Sequence, residues 1–374
     1  MASSAPMPAR FLLLLLASLL TGGCASTGGP TQAGRDALLL KYRAAADHMR
    51  RSEFDQARPL LDDALTTLGG ISSGDAAARK ARGYFRSEST KNFRGEPYER
   101  VMAYYYRGIL YWMDGEPDNA RACFRSAQLQ DADAEQGSYQ ADYAILDYLD
   151  GFVTTKLGGG ANDALARARS SARLGALPDF DPQSNVLVFF EMGQGPTKYA
   201  AGEYGEQLRF RPGIARSTSL QLKVGAQVVR VMPADDLSFQ ATTRGGRQMD
   251  YVLANKAVFK GTADSFGDAA ILSGAILAGT SGRRSAADEV GAGLLIAGLL
   301  SKVVSAATTP SADTRMWDNL PNLVGFAALR VPAGEQRLSA EFLDASGHVV
   351  LSRDVTVTLI PGTRDTVLFL SDRQ

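Results

Sequence analysis

Apolar and small residues recur every three or four positions through the first half of the chain, with charged residues between them. The spacing runs through residues 38–68, is most regular in residues 101–131, and returns in a weaker form in residues 143–174. This period is typical of amphipathic helices, and three stacked units are about the smallest number that buries a continuous repeat core. The sequence therefore predicts a helical region over residues 35–177.

Small and large residues are combined in residues 101–131 in a way that suits two packed helices. Gly108, Ala120 and Ala127 would let the helices approach closely, while Tyr111 and Phe124 would fill the space between them. The arrangement resembles the tetratricopeptide repeat, a helix–turn–helix unit of about 34 residues.

That resemblance implies a concave groove that holds a peptide or a partner protein. We predict Tyr104, Tyr105 and Trp112 as partner-binding residues because they form an aromatic row on the first helix of this repeat. Aromatic residues at helical spacing also pack in protein cores, and at the level of sequence this alternative stays open.

The pattern changes at residue 178 to short runs of β-branched and aromatic residues between turns. Such runs occupy residues 185–193, 220–232, 239–243, 251–259 and much of 324–370. Their length and number are typical of a small antiparallel sandwich. The predicted fold class is therefore multidomain α+β, with tetratricopeptide-like helical repeats followed by an antiparallel β-sandwich-like domain over residues 178–374.

A stretch rich in glycine and alanine interrupts the β pattern at residues 265–307. Small residues recur there every four positions, a spacing that lets helices touch closely. We predict an inserted helical hairpin packed on the β domain. A self-associating glycine zipper and a membrane hairpin are the alternatives, although each arm has at most about 15 apolar residues against roughly 20 for a span.

The N-terminus carries a targeting pattern. Arg10 precedes an apolar run at residues 11–20, which is shorter than a membrane span and suits a signal peptide. Small residues then lead to Cys24, as in the lipobox of bacterial lipoproteins, where the cysteine thiol receives a diacylglycerol and cleavage occurs just before it. The resemblance implies a signal peptide over residues 1–23 and lipidation of Cys24. A non-lipidated signal cut nearby is the alternative.

The residues after the lipobox refine this prediction. Ala25 follows Cys24, which by resemblance to sorted lipoproteins favours the outer membrane. Residues 24–34 are small and polar, as a flexible tether to the folded body would be. The predicted location is therefore the periplasmic face of the bacterial outer membrane, held by N-terminal acyl chains.

Composition argues against most catalytic classes. Forty basic and forty acidic residues balance, so no net charge draws the chain to nucleic acid. Two histidines and two cysteines provide neither a recognisable zinc site nor a nucleophile–base–orienter set, and Cys123 is expected to be a buried, unpaired thiol. The sequence predicts a protein that is not an enzyme and has no cofactor or metal.

Two motif-like strings support the same conclusion. Residues 191–199 resemble a phosphate loop only superficially, because Lys198 lacks the preceding glycine and the following serine or threonine. Asp235 and Asp236, like the acidic string at 131–135, lack the spacing and glycine of a calcium loop. We therefore predict neither a nucleotide nor a calcium ligand.

Four segments together resemble a known family. They are the lipobox at Cys24, YERVMAYYYRGI at 98–109, VLVFFEMGQGPTK at 186–198, and ADTRMWDNLP at 312–321 followed by LRVPAG. The chain is similar to a family of bacterial lipoproteins with an N-terminal repeat region, encoded in some genomes near the lipoprotein activators of penicillin-binding proteins. The resemblance implies a role in the cell envelope and no catalytic residues.

Within that resemblance, Trp317 and Pro321 match the family pattern and are expected to anchor the return from the 265–307 hairpin into the next strand. The leading functional prediction is a lipid-anchored periplasmic scaffold or adaptor that binds an envelope protein through its repeats. A self-associating structural subunit of an envelope or secretion assembly is the first alternative, and an enzyme is the last.

Overall fold

The chain is described by a computed structural model that covers residues 31–69, 92–132, 142–203, 205–243, 312–360, 362 and 364–373. The predicted signal peptide at 1–23, Cys24 with most of the tether at 24–34, the β run predicted at 251–259 and the predicted hairpin at 265–307 lie outside these residues. The described part is of mixed α+β class, as predicted. Paired helices come first, and β-sheets of mostly antiparallel strands follow.

Eight helices lie in the described part of the chain. They are α1 (Gln32–Arg35), α2 (Ala37–Arg50), α3 (Phe54–Gly69), α4 (Pro97–Met113), α5 (Pro117–Asp131), α6 (Ala144–Lys156), α7 (Asn162–Ser171) and α8 (Leu237–Thr242). Helix α2 packs on α3, α4 on α5, and α6 on α7. The three pairs coincide with the three segments that show the helical period.

Local signals set the start and the end of α4. Glu96 and Glu99 form a reciprocal capping box around Pro97, the first helical residue, which satisfies backbone N–H groups that have no partner inside the helix. The helix ends at Met113, and Gly115 follows with a left-handed φ of 82° that turns the chain into α5.

Gly108 and Phe124 fix the distance between α4 and α5. A Cβ atom added at Gly108 would lie 2.5 Å from Cε1 of Phe124, whose side chain is fully buried. Ala120 and Ala127 on the facing helix are also fully buried. The prediction that small residues allow close approach here is confirmed.

We expect Gly108→Ala to lower the free energy of unfolding by about 1–3 kcal/mol, because the new methyl group overpacks against Phe124. Better helix propensity offsets this by at most about 1 kcal/mol. Gly160→Ala is the control, since a Cβ there meets no atom within 4 Å. Urea denaturation of both variants measures the effect, and equal midpoints would contradict the close contact.

Ten strands lie in the described part. They are β1 (Val186–Met192), β2 (Thr197–Ala201), β3 (Gln207–Arg211), β4 (Ser219–Val224), β5 (Gln227–Val231), β6 (Asp235–Asp236), β7 (Leu323–Leu329), β8 (Gly334–Leu343), β9 (Val349–Leu359) and β10 (Thr366–Ser371). A central sheet has the order β10-β1-β7-β6, an outer sheet has the order β5-β4-β8-β9, and β2 and β3 form a separate ribbon.

One strand pair departs from the antiparallel prediction. Strands β1 and β10 are parallel, with Val186 beside Thr366 and Glu191 beside Ser371. The chain crosses from β9 in the outer sheet to β10 in the central sheet, and there β10 pairs with the edge of β1 that β7 leaves open. Because buried backbone groups need partners, β10 supplies the hydrogen bonds that a buried β1 requires.

The strand predicted at residues 239–243 is wrong, because these residues lie in and directly after helix α8. The carboxylate of Asp236 accepts hydrogen bonds from the backbone N–H groups of Ser238 and Phe239, at 2.8 and 3.4 Å. An aspartate in this position is a strong helix N-cap. The cap therefore outweighs the β-branched and aromatic composition on which the prediction rested.

Strand β1 is buried on both faces and joins the two halves of the fold. Leu187 and Phe189 lie in the cluster that includes the helices, whereas Val188 and Phe190 lie in the cluster shared with the outer sheet. Alternate strand residues point to opposite faces, so the central sheet is a middle layer between the helices and the outer sheet. The helical and β regions therefore share one core.

Candidate functional site

The inner side of the three helix pairs is covered by the chain's own central sheet. Helices α2 and α4 contact β10, and α6 contacts β7. Tyr105 and Trp112, predicted to bind a partner from the concave side, are each 2% exposed, and Tyr104 beside them is half-buried. The groove that the sequence suggested for a partner is thus filled from within the molecule.

Trp112 packs where the helices meet the central sheet. Its ring lies 6.0 Å from that of Phe189 on β1 and 6.4 Å from that of Phe326 on β7, measured between centroids. Its indole Nε1 donates to Oδ2 of Asp365 at 3.1 Å. Tyr105 packs on Phe189 in the same way, at 6.2 Å. A partner could reach either residue only if the sheet left the helices.

The segment before β7, residues 312–322, lies along α2. Its Trp317 ring stacks on Tyr42 at 4.3 Å, and the indole side chain is buried. Arg43 donates to the carbonyl oxygen of Met316 at 3.1 Å, and Arg50 donates to that of Asn319 at 2.6 Å. Helix α2 therefore binds this segment both through the segment's carbonyl groups and through its side chains, which include the Asp318 carboxylate paired with Arg43 and the Asn319 amide that donates to Asp47.

Glu99 is the centre of a buried polar cluster between α4, β2 and that segment. Its carboxylate accepts from Lys198 Nζ at 2.6 Å, from the backbone N–H of Trp317 at 2.7 Å and from that of Glu96 at 2.6 Å. Lys198 also donates to the carbonyl oxygen of Arg315 at 3.0 Å. The two charged side chains are 0% and 1% exposed, so this ion pair has almost no contact with solvent.

Glu191 forms a second buried cluster on the helix side of β1. Its carboxylate accepts from Tyr106 Oη at 2.6 Å, from Ser371 Oγ at 2.9 Å and from Nε of Arg50. Burial and the neighbouring Glu191 charge raise the pKa of Tyr106 well above its ordinary value, so Tyr106 remains a neutral donor. Through these three donors, the Glu191 carboxylate holds α2, α4 and β10 to β1.

Asp235 caps α6 from across the fold. Its carboxylate accepts from the backbone N–H groups of Ile145 at 2.7 Å and of Ala144 at 3.3 Å. Complete burial raises the pKa of Asp235 to about 8, although these two hydrogen bonds act in the opposite direction. Asp142 raises the pKa further, and Arg173 lowers it.

The raised pKa of Asp235 predicts a pH-dependent stability. Between the ordinary pKa of 3.8 and about 8, the folded chain keeps a proton that the unfolded chain has released. The free energy of unfolding should therefore fall as pH rises through this window, relative to Asp235→Asn, which does not titrate. Urea denaturation of both proteins across the window measures the difference, and parallel pH profiles would contradict the prediction.

The groups that could do chemistry in these clusters are used in structural contacts. The Lys198 ammonium, the cation of the superficial phosphate-loop string, is bound to Glu99 and to a carbonyl oxygen. Cys123 is buried and unpaired, as predicted, and burial raises its pKa to about 11. In the described ranges, no three potential metal ligands lie together, and no helix combines the length and apolarity needed to cross a bilayer.

An open cleft of about 400 Å³ lies on the outer side of the helix pairs, away from the sheet. It is lined by Arg121, Arg125, Asp150, Thr154, Gly160, Ala161, Asn162, Asp163, Ala164 and Arg167. These residues come from α5, α6, the loop before α7 and the first turns of α7. The cleft therefore crosses the second and third helix pairs.

Arginines dominate the polar groups of this outer cleft. Arg121 and Arg125 both donate through Nε to Oδ1 of Asp150, at 2.7 and 2.9 Å, and Arg167 donates through Nε to Asp147 at 3.1 Å. The two carboxylates are only 12% and 10% exposed, so the arginine heads form the solvent side. Their Nη atoms donate to no acceptor among the residues that the structure describes.

Backbone donors add to this arrangement at the start of α7. The residue before the helix is Ala161, whose side chain offers no cap, and the first intrahelical bond runs from Leu165 N to Ala161 O. The N–H groups of the first helical turn therefore have no side-chain cap. Asp163 in that turn contributes a carboxylate, so the cleft has many donors and little net charge.

The polar clusters and the outer cleft are not predicted by the sequence. Arg121 and Arg125 are four residues apart on one helix and share a face, which is a signal that the sequence contains. Nothing in the sequence, however, shows that Asp150 and Arg167 come from neighbouring helices to the same place. The comparisons with known proteins add no further evidence, since no family model, curated protein or solved structure matches the chain.

Proposed function

We propose that this chain is a non-enzymatic, lipid-anchored scaffold at the periplasmic face of the bacterial outer membrane. It binds an envelope protein through the outer cleft of its tetratricopeptide-like helix pairs. The anchor is the diacylglycerol on Cys24, and confinement to the membrane raises the effective concentration of scaffold and partner, so a modest affinity suffices.

The observation that carries the proposal is the set of unused donors in the outer cleft. Six Nη atoms of Arg121, Arg125 and Arg167 and the N–H groups of the first turn of α7 have no described acceptor. Guanidinium groups bind carboxylates in a fixed, often bidentate geometry. The partner is therefore a segment with acidic side chains or a free C-terminal carboxylate.

The inner face serves a different purpose in this proposal. Tyr105 and Trp112 join the helices to the sheet, and no partner is assigned to them. The alternative of a self-associating envelope subunit depends on residues 265–307, which lie outside the described residues, and stays a prediction.

Crosslinking in intact cell envelopes followed by affinity capture tests the partner site. We expect Arg125→Gln with Arg167→Gln to lose a protein that wild type captures, because these side chains are 58% and 56% exposed and lie at the solvent side of the cleft. Arg330→Gln with Arg364→Gln removes the same charge from exposed positions elsewhere and should retain the protein. Equal capture by both double variants would contradict the proposed site.

The anchor is tested separately. Labelling of the protein with a radioactive or clickable fatty acid should depend on Cys24, and Cys24→Ser should move the protein from the membrane fraction to the soluble periplasmic fraction. Membrane association and acyl labelling that persist in Cys24→Ser would contradict the lipid anchor.

A further inference from the structure

A basic surface lies on the ribbon of β2 and β3 and on the loop that follows it. Residues 207–216 contain Arg209, Arg211 and Arg216 and no acidic residue, although the whole chain has no net charge. All three arginines are exposed, and none of them forms an ion pair with any described residue. This segment therefore has three positive charges within ten residues, and the carboxylates that precede it, Glu203 and Glu206, lie in the turn between β2 and β3.

An aliphatic side chain projects from the same segment. Ile214 is 75% exposed, the highest exposure among the large hydrophobic residues described. It stands close to Arg211 and Arg216 in the chain. On the ribbon, Tyr199 lies opposite Arg209, and the Arg211 guanidinium lies 4.7 Å from the Tyr199 ring centroid. The ribbon and the loop that follows it thus contain an exposed aliphatic residue, an aromatic residue and cations within a short stretch of the chain.

The backbone holds Ile214 in this exposed position. Ile214 and Gln194 exchange two backbone hydrogen bonds, both of 2.8 Å. Gly193 has a left-handed φ of 70°, and a Cβ there would lie 2.4 Å from the carbonyl oxygen of Ile214. Since the loop is packed this closely, the exposure of Ile214 is a fixed feature of the fold.

The ribbon lies beside the point at which the predicted tether joins the helices. Asp36, at the start of α2, accepts from Nη1 of Arg315 at 2.7 Å, and the carbonyl oxygen of Arg315 accepts from Lys198 of β2 at 3.0 Å. Lys198 lies on the buried side of the ribbon, and Tyr199, Arg209 and Arg211 lie on its other side. The basic surface is therefore near the end of the molecule that a lipid anchor would hold at the bilayer.

We infer that this basic surface, formed by Tyr199, Arg209, Arg211, Ile214 and Arg216, rests on a bilayer that contains anionic phospholipid. Arginines at an anionic leaflet and apolar side chains in the headgroup region are the contacts that bind interfacial proteins. The inference rests on the proposed function only for the acyl anchor that brings the chain to the membrane. It adds a second contact that orients the folded body.

The test uses the full-length, lipid-modified protein in vesicles that contain phosphatidylglycerol, and in vesicles of phosphatidylcholine alone. Ile214→Trp reports contact through quenching by phospholipids that carry bromine on their acyl chains. Ile360→Trp is the matched control, because Ile360 is 63% exposed and follows β9, which ends near the other end of the molecule. Buried Trp112 and Trp317 give the same background in both variants.

We expect strong quenching of Trp at position 214 in phosphatidylglycerol vesicles, weak quenching in phosphatidylcholine vesicles, and weak quenching at position 360 in both. Arg211→Gln with Arg216→Gln should reduce the signal at 214 to the phosphatidylcholine level. Arg330→Gln with Arg364→Gln should leave it unchanged, because these arginines lie within two residues of Leu329 and Thr366, the partners of Val186 at the opposite end of β1 from Gln194.

Two outcomes would overturn the inference. One is a protein that floats with the vesicles but is quenched equally at positions 214 and 360. The other is an emission change at 214 that follows protein concentration without vesicles, which would identify a second copy of the chain as the occupant.

Failure of the anchor is recognised separately, because the protein would then not float with phosphatidylcholine vesicles. In that case the Cys24→Ser chain is titrated with phosphatidylglycerol vesicles. Loss of the two arginines should lower its partition coefficient about 25-fold, at roughly a factor of five for each arginine. The Cys24→Ser chain and its Arg211→Gln with Arg216→Gln variant have the same N-terminal segment, so a difference between their partition coefficients is due to the two arginines. Equal partition coefficients would refute the basic surface.

Discussion

Trp112→Ala is expected to lower the free energy of unfolding by about 3–5 kcal/mol, the usual cost of removing a large aromatic side chain from a core. The indole is 2% exposed and lies among Phe124, Phe152, Phe189 and Phe326, with centroid distances of 5.9–6.4 Å. The substitution also removes the donor to Asp365. A loss of this size is a large part of the stability of an ordinary domain.

Urea denaturation followed by circular dichroism measures the effect of Trp112→Ala. Tyr104→Ala is the control on the same helix, and it should cost less than half as much because Tyr104 is half-buried. A smaller loss for Trp112→Ala than for Tyr104→Ala would mean that the sheet does not cover this part of the helices. If the expected loss is observed, reduced partner capture by Trp112→Ala reports unfolding and not a lost contact.

Lys198→Met should also lower the free energy of unfolding by about 3–5 kcal/mol, since it leaves the Glu99 carboxylate buried without its counter-ion. Glu99 is 0% exposed and keeps only neutral backbone donors, from Glu96 and Trp317. The buried carboxylate must then admit water, which weakens the contact between α4 and the segment before β7.

A double-mutant cycle separates the ion pair from the packing of the methylene chain. Glu99→Gln with Lys198→Met removes both charges and should recover much of the stability that Lys198→Met alone loses. Arg337→Met breaks the exposed pair with Asp354 and should leave the unfolding midpoint unchanged, because exposed pairs contribute little. If the losses in free energy of unfolding of Glu99→Gln and Lys198→Met add up to the loss of the double variant, the two buried charges are not coupled.

The sequence predicted those elements whose signals are local. The helix pairs over 38–68, 101–131 and 143–174 follow from a period of three to four, and the contact of Gly108 with Phe124 follows from the placement of one small residue. Strand β1 follows from the apolar run at residues 186–190, which is typical of a strand buried on both faces. Each of these signals lies within one or two neighbouring elements.

Other features depended on contacts between residues that are far apart in the chain. Glu191 meets Arg50 across 141 positions, and Lys198 meets Glu99 across 99 positions. A single sequence contains no pattern that pairs such residues. At residues 239–243 the local composition favoured a strand, but the Asp236 cap and the packing of α8 on β3 selected a helix.

The sequence by itself determined that α4 has a wide apolar face containing Tyr105 and Trp112, and only the tertiary structure decided what covers that face. Hydrophobic burial is non-directional and depends on the area removed from water, so a sheet of the same chain and a partner protein satisfy the same pattern. Polar groups are different, because their burial requires specific partners at hydrogen-bond distance. The contacts of Glu99, Glu191 and Asp235 therefore record how the helices and the sheet of this protein fit together.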